Sequence, residues 1–452
     1  MITREKRAIS GFIALPFLVL CVDLFTPYLI WQHILPAEIR WLSHLGITIM
    51  ILITIFRMLV FDYIPRLFLL VFAVIVVWTI VAILISGQGI LPTIWGVWLL
   101  LQFPLVGLFA YFQLNRPKLL ENKIQKYLLS VLILQVAVQL LQYAGGEAVG
   151  DNLAGLFGEK GTGDAVIFAI LVNCIFLGYW VTTKRWLGLV SVMVLGGLSS
   201  VLGEMKLFPF ALVISGFLAI SIYAVRHRQL RVVVTYTTLI IVIVLGFVNV
   251  YNLYVSEANK TPFQTYLTDP VKFSQYMNRF TVYSTSEGRA TDIGRGAAVE
   301  IGWNSIRREP ATLLLGYGLG ARSESKTLGT TGVSLTTGYT GFSVGTSLLI
   351  LMQEMGLVGL IVLSCIILWM IFSLVKSIRN NPSSPANGLR YGLLFCSILL
   401  PLWLWYSNAW TMRVPMLLYW YLFGYVFAES HDISIRLLKR ASLKLAFYTG
   451  NM

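Results

Sequence analysis

Charge is scarce in this chain. Of its 452 residues only 12% are Asp, Glu, Lys or Arg, while 57% are hydrophobic, and the mean hydropathy is +0.78. A water-soluble domain of this size needs a far more polar surface, so a soluble fold is excluded and a membrane protein is expected. Histidine is rarer still. Of the four, His33 and His44 fall near the outer ends of the first two expected spans, and His227 and His431 fall on the inner side. No histidine is therefore available as a general base in the outer loop described below. No His/Cys/Asp/Glu group has metal-ligand spacing, so neither a metal nor another cofactor is expected. The four cysteines (Cys21, Cys174, Cys365 and Cys396) all lie in apolar runs, as small buried side chains do, and do not form a disulfide framework. Internal repeats and low-complexity segments are absent. The stretch around Ser383-Ser384-Pro385 reads as an ordinary short connection.

What the chain has in abundance is apolar runs long enough to cross a bilayer core of about 30 Å, which takes about 20 residues per helix. They predict an all-α polytopic integral membrane protein with twelve spans, at 10–31, 42–61, 66–86, 93–114, 125–144, 165–183, 186–202, 207–225, 232–254, 346–375, 390–408 and 413–429. The first run continues to Trp31 without a small-residue cleavage site, so a retained signal-anchor helix is expected. With the N-terminus cytoplasmic, 21 of the 34 lysines and arginines fall inside and 13 outside, nine of these in one large loop. Short outer loops nearly bare of positive charge satisfy the positive-inside rule, from which long loops are exempt. The net charge of +14 is then a topology signal and calls for no nucleic acid. The expected organisation is helices one to nine over 1–254, an extracytoplasmic loop with short helices over 255–342, helices ten to twelve over 343–429, and a basic tail over 430–452. The tail is expected to lie along the inner membrane surface, with Ile435, Leu437 and Leu438 among its basic residues.

The large loop is the one long polar interruption, from about Ser256 to Gly341. Within it, 292–309 has helical character, with Asp292 able to cap the start and Pro310 marking the stop. Arg295, Val299, Gly302 and Ile306 follow the spacing of one helix face, which turns Arg295 inward. Glu300, Asn304, Arg307 and Arg308 fall on the other face, toward water or headgroups. A guanidinium held at the membrane mouth suits bidentate binding of phosphate. Pairing of Arg295 with a loop carboxylate such as Asp292 is the other reading, and the residues alone leave both open. Gly316-Tyr317-Gly318-Leu319-Gly320 permits a tight turn and close backbone approach but lacks the strand–helix context of a nucleotide loop.

Other outer positions carry ionisable residues beside very apolar sequence. Glu204 and Lys206 stand where the seventh and eighth spans meet, either as a site or as a pair neutralising itself at the water boundary. Asp151, Glu159, Lys160 and Asp164 come to the same face, where solvation accounts for most of them. Asp23, in the outer half of the first span, is expected to hydrogen-bond a neighbouring helix. In the absence of a loop histidine, any base would be a carboxylate, or the reaction would depend on electrostatic stabilisation of a leaving group.

Gly294-Arg295, Trp303, Arg308-Glu309-Pro310 and Gly316-Tyr317-Gly318-Leu319-Gly320 together resemble the signature of the O-antigen polymerase and O-antigen ligase superfamily. Ser347-Leu348-Leu349 through Glu354-Met355-Gly356-Leu357-Val358-Gly359 is similar to the family's helix that re-enters the membrane behind the loop. Leu153-Ala154-Gly155-Leu156-Phe157-Gly158 resembles its outer-loop turn between the fifth and sixth spans, and Gly203-Glu204-Met205-Lys206 stands where many members carry a Ser-Arg pair. Two departures matter: Gly345-Thr346 replaces the His-Asn of ligase-type members, and the gap from Pro310 to Gly316 is about three residues longer than usual. The first favours polymerase over ligase.

The resemblance implies a GT-C-like architecture and a metal-independent, inverting glycosyltransferase. Its donor would be a glycan on undecaprenyl pyrophosphate, at the outer face of a bacterial cytoplasmic membrane. It further implies that Lys206 and Arg295 hold the pyrophosphate, with Arg289, Arg308 and Tyr317 as further substrate contacts, and that Glu204 and Arg295 act in catalysis, Glu204 orienting or deprotonating the acceptor. A chain-length regulator and a flippase of the same pathway are implied partners. A transporter is the reading from another class. Charges kept at the outer mouth and the absence of repeats argue against it.

Overall fold

A computed structural model describes residues 2–61, 66–112, 118–147, 150, 152–158, 161–227, 230–257, 262–285, 288–322, 324–325, 330–331 and 346–430. Among these residues a helix occupies each of the twelve expected segments. The first nine are α1 (Ile2–Trp31), α2 (Trp41–Phe61), α3 (Arg66–Leu84), α4 (Ile90–Tyr111), α5 (Lys118–Ala144), α6 (Thr162–Thr183), α7 (Trp186–Leu202), α8 (Leu207–His227) and α9 (Leu230–Glu257). The described residues of the loop region add the short helices α10 (Phe263–Thr268), α11 (Pro270–Met277), α12 (Arg295–Ile306) and α13 (Pro310–Leu315). The last three long helices are α14 (Ser347–Asn380), α15 (Asn387–Tyr406) and α16 (Arg413–Ser430). Among the described residues eight helices are long and apolar enough to cross a membrane, and three shorter apolar ones accompany them. The chain is a helical, polytopic membrane protein.

Burial divides the helices into core and rim. The most apolar window of α6 is 94% buried within the protein, that of α9 only 11%. A helix apolar on all sides is stable in either setting, enclosed by other helices or facing lipid, and α6 and α9 represent the two. With no hydrophobic drive between helices in lipid, close packing at small residues holds the core together. Gly178 of α6 lies against α15, where an added Cβ would stand 2.2 Å from the Gly388 carbonyl oxygen and from the Gly392 nitrogen. Gly388 and Gly392 share one face of α15, so no side chain separates the two backbones there. Arg390, between them in sequence, counts among the inner-side charges in the sequence, but it is buried and donates to the Asn387 side chain at 2.9 Å.

The loop departs from an all-helical expectation. Phe280–Thr285 and Gly288–Ile293 form an antiparallel hairpin, β1 and β2, with Phe280 opposite Ile293 and Ser284 opposite Arg289. Asp292 therefore lies in a strand and does not cap a helix; α12 begins at Arg295, after Gly294 in extended conformation. The helix is also shorter than expected. It ends at Ile306, and Pro310 opens α13, where its missing N–H costs nothing. Gly302 and Ile306 are buried as expected, but Val299 is only partly so, and Ala298 and Ser305 complete the inward stripe.

α14 is broken at Gly356, whose backbone (φ 61°, ψ −164°) is not helical. Gly316-Tyr317-Gly318 docks on the break. The Tyr317 nitrogen donates to the Gln353 carbonyl at 2.7 Å and the Gly318 nitrogen to that of Glu354 at 3.0 Å. Irregular backbone at membrane depth is tolerated where protein groups satisfy it. The glycine-rich run is thus a structural turn, with all three glycines at positive φ.

Candidate anion site at the loop–helix junction

Two expected site residues, Lys206 and Arg295, 89 positions apart in sequence, converge on one place. Lys206 ends the four-residue connection between α7 and α8, and Arg295 opens α12. Burial pushes the Lys206 ammonium below the usual lysine range. The Arg279 and Arg295 charges push in the same direction, while Tyr276 and Glu204 oppose it. The Lys206 Nζ lies 4.5 Å from the centroid of the Tyr276 ring and 4.9 Å from that of Tyr266. Arg279 stacks on Tyr276 at 4.7 Å, and Arg295 on Tyr406 at 4.9 Å.

Arg295 is fixed from the far side of the bundle. Its Nε donates to the Tyr406 carbonyl at 3.2 Å, at the C-terminal end of α15. Among the described residues no carboxylate bonds to it, and its Nη atoms hold no hydrogen bond. The pairing with Asp292 weighed above lies outside the described side chains. Leu349 and Met352 of α14 pack against Gly302, and Leu349 also meets Ile293 and Ala298, so the whole of α12 is clamped to the bundle.

Glu204 completes the group. It follows the C-terminal Gly203 of α7, with its nitrogen donating to the Val201 carbonyl and a left-handed backbone (φ 52°) that aims it away from the helix axis. Its carboxyl group faces Gly150, where an added Cβ would stand 3.5 Å from it. Tyr251 of α9 neighbours Glu204, Tyr266, Tyr276 and Tyr406. Three cations therefore surround one carboxylate and four tyrosines, a setting suited to a multiply charged anion.

Arg308 and Tyr317 sit at the α12–α13 turn. Arg308 is exposed on the turn before Pro310, where its charge acts on Tyr317. The Tyr317 hydroxyl donates to the Ser305 carbonyl at 2.8 Å, and burial raises its pKa. The backbone of Arg289 lies in β2; its side chain is outside the described residues, as are Asp151, Glu159, Lys160, Gly345 and the tail over 431–452. Asp164 is half-buried. It opens α6 close to Asp23 and Arg413. Asp23 accepts from Ser43 at 2.7 Å and from Arg413 at 3.2 Å, and Arg413 also contacts His44. The first span is tied to α2 and α16 in this way, as expected of Asp23.

Several residues that build the site carry no motif. Gln135, Gln139 and Gln142 of α5 are buried and hold the 153–156 turn: Gln135 donates to the Ala154 carbonyl at 2.9 Å and accepts from the Leu156 nitrogen at 2.8 Å. Gln139 donates to Leu153, and Gln142 accepts from Gly155. Their i, i+4, i+7 spacing in an apolar run is a readable signal of one polar stripe. Arg279, Tyr266 and Tyr276 have no such pattern. An apolar cavity of about 340 Å³, lined among others by Trp78, Leu351, Met355 and Trp420, contains none of the site residues. Among the described residues no cluster could hold a metal ion. No protein-family model and no curated protein matches this chain.

Proposed function

We propose that the chain is a membrane glycosyltransferase that polymerises oligosaccharide repeat units carried on undecaprenyl pyrophosphate into a surface polysaccharide. It would work at the outer face of a bacterial cytoplasmic membrane, with twelve spans, a GT-C-like architecture and both termini inside. The observation that carries the reading is the convergence of Lys206, Arg279 and Arg295 beside Glu204 where the loop meets the helix ends. A pyrophosphate leaving group carries several negative charges, and preorganised cations aimed at it stabilise the transition state. The Arg295 guanidinium supplies a planar fork for two phosphate oxygens, and Lys206 and Arg279 neutralise the remainder. Glu204, the carboxylate beside Lys206, accepts the proton of the attacking sugar hydroxyl. The C1–O bond to the pyrophosphate breaks as the new glycosidic bond forms, and the donor bond supplies the energy.

The break in α14 bears on the transporter reading, since transporters use broken helices to line substrate pathways. Here the freed carbonyls of Gln353 and Glu354 are taken by the 316–318 turn. Deletion of the gene is expected to collapse a long-chain glycan ladder to single repeat units. An unchanged ladder overturns the proposal. Long chains left on undecaprenyl pyrophosphate would instead assign the chain to the ligase type.

A further inference from the structure

Three half-buried cations placed together repel one another, and the Glu204 carboxylate beside Lys206 offsets part of that repulsion. Aromatic faces offset a further part. The Tyr276 ring carries two cations, Lys206 at 4.5 Å and Arg279 at 4.7 Å from its centroid. The Tyr266 ring, 4.9 Å from that of Tyr276, carries Lys206 a second time at 4.9 Å. The negative face of an aromatic ring attracts a cation, most strongly where water is excluded.

Both tyrosines stand on short helices with independent anchors. Phe263 of α10 is buried against Phe247 and Tyr251, and its nitrogen donates to the Asn252 side chain at 2.7 Å. The Asp269 side chain caps α11, accepting from Val271 and Lys272. Arg295 is held by Tyr406 on α15. Two separately anchored pieces of the protein therefore deliver cations to one site, and Tyr276 is the piece that pairs Lys206 with Arg279.

We propose that Tyr276, supported by Tyr266, is a positioning residue of the anion site: its ring holds Lys206 and Arg279 side by side so that both meet one diphosphate together with Arg295. The inference rests on the reading of this site as a pyrophosphate clamp. It makes the α10–α11 segment part of the binding machinery. An alkyl side chain of similar bulk fills the same space without the ring's charge distribution, whereas phenylalanine keeps it.

The test uses the full chain in lipid nanodiscs, with inorganic pyrophosphate in magnesium-free buffer as the probe, titrated by calorimetry. Tyr276→Leu is expected to weaken binding about tenfold, the loss of two cation–ring contacts. Tyr276→Phe is expected to recover most of that loss. In a Lys206→Met background the Tyr276→Leu effect should shrink, because one of its two cations is gone. Unchanged affinity in Tyr276→Leu overturns the inference, and so does an equal loss in Tyr276→Phe. Pyrophosphate binding that Arg295→Lys weakens while Tyr276→Leu does not overturns the inference alone. No binding by the unaltered chain overturns the clamp reading and the inference with it. Where Tyr276→Leu yields no folded chain, Tyr266→Leu tests the same idea on Lys206, with about a threefold loss expected; unchanged affinity there overturns it.

Discussion

Arg295 and Tyr406, 111 positions apart, are joined twice: the guanidinium Nε donates to the Tyr406 carbonyl at 3.2 Å, and the guanidinium carbon lies 4.9 Å from the Tyr406 ring centroid. One edge of the guanidinium is thereby committed to the protein. The hydrogen bond also ties the first turn of α12 to the last turn of α15.

Arg295→Lys keeps the charge but loses the planar fork and the Nε contact. Turnover of a lipid-linked repeat unit by the reconstituted protein is expected to fall at least about tenfold, the loss of one charge-assisted hydrogen bond. Near-normal turnover would remove Arg295 from the clamp.

Lys206 gives the site a pH dependence. Its pKa lies below the ordinary 10.5 because burial and the neighbouring arginines disfavour the charged form. The unfolded chain thus binds this proton more tightly than the folded one. This contribution lowers stability below the folded pKa and is relieved as pH rises toward 10.5. Anion binding runs the other way, since it needs the ammonium. Affinity for pyrophosphate is expected to drop at alkaline pH, and Lys206→Arg should flatten that drop. Parallel pH profiles for the two proteins, measured by calorimetry, would exclude Lys206 as the titrating group.

Glu204 separates binding from chemistry. Replacing it with glutamine removes the negative charge beside three cations, so pyrophosphate affinity should hold or rise while kcat falls by a factor on the order of 100 or more. Glu204→Gly removes the same carboxylate and relieves a left-handed backbone that costs a non-glycine residue about 1 kcal/mol. Its thermal midpoint should be no lower than that of Glu204→Gln. Full activity in either variant would show that the carboxylate is not the base.

Gln135→Leu tests the buried stripe of α5. It leaves the Ala154 carbonyl and the Leu156 nitrogen without their partner, at about 1–3 kcal/mol for each group. A lowered thermal midpoint in detergent is expected, together with reduced turnover, because the turn runs on from Gly150 beside Glu204. An unchanged midpoint would mean that water replaces the glutamine.

Much of the helical plan was legible because lipid makes a simple demand: every backbone polar group must be satisfied within its own segment, and each segment must be long and apolar. The twelve apolar runs became twelve helices for that reason. Arg295 facing the bundle was also legible, since helix spacing alone fixes a face. The role of Asp292 was not. Strand pairing between 280–285 and 288–293 is a contact across a turn that no single-helix pattern reports, and it moved Asp292 out of the cap. Arg308 and Tyr317 were expected as substrate contacts only through a resemblance, and the structure places Arg308 before Pro310 and Tyr317 in the turn that fills the break at Gly356.

Sequence by itself determined that the protein lives in a membrane, where its helices run, and that a basic loop and a Glu–Lys pair stand at the helix ends. Only the tertiary structure decided that Lys206 and Arg295 share one site, that Arg279 joins them, and that tyrosines from two short helices hold the cations together. The physical reason is range. Hydropathy and helix periodicity are local and act within about 20 residues, whereas repulsion among cations is offset by whichever rings and carboxylates the fold brings near, from anywhere along the chain.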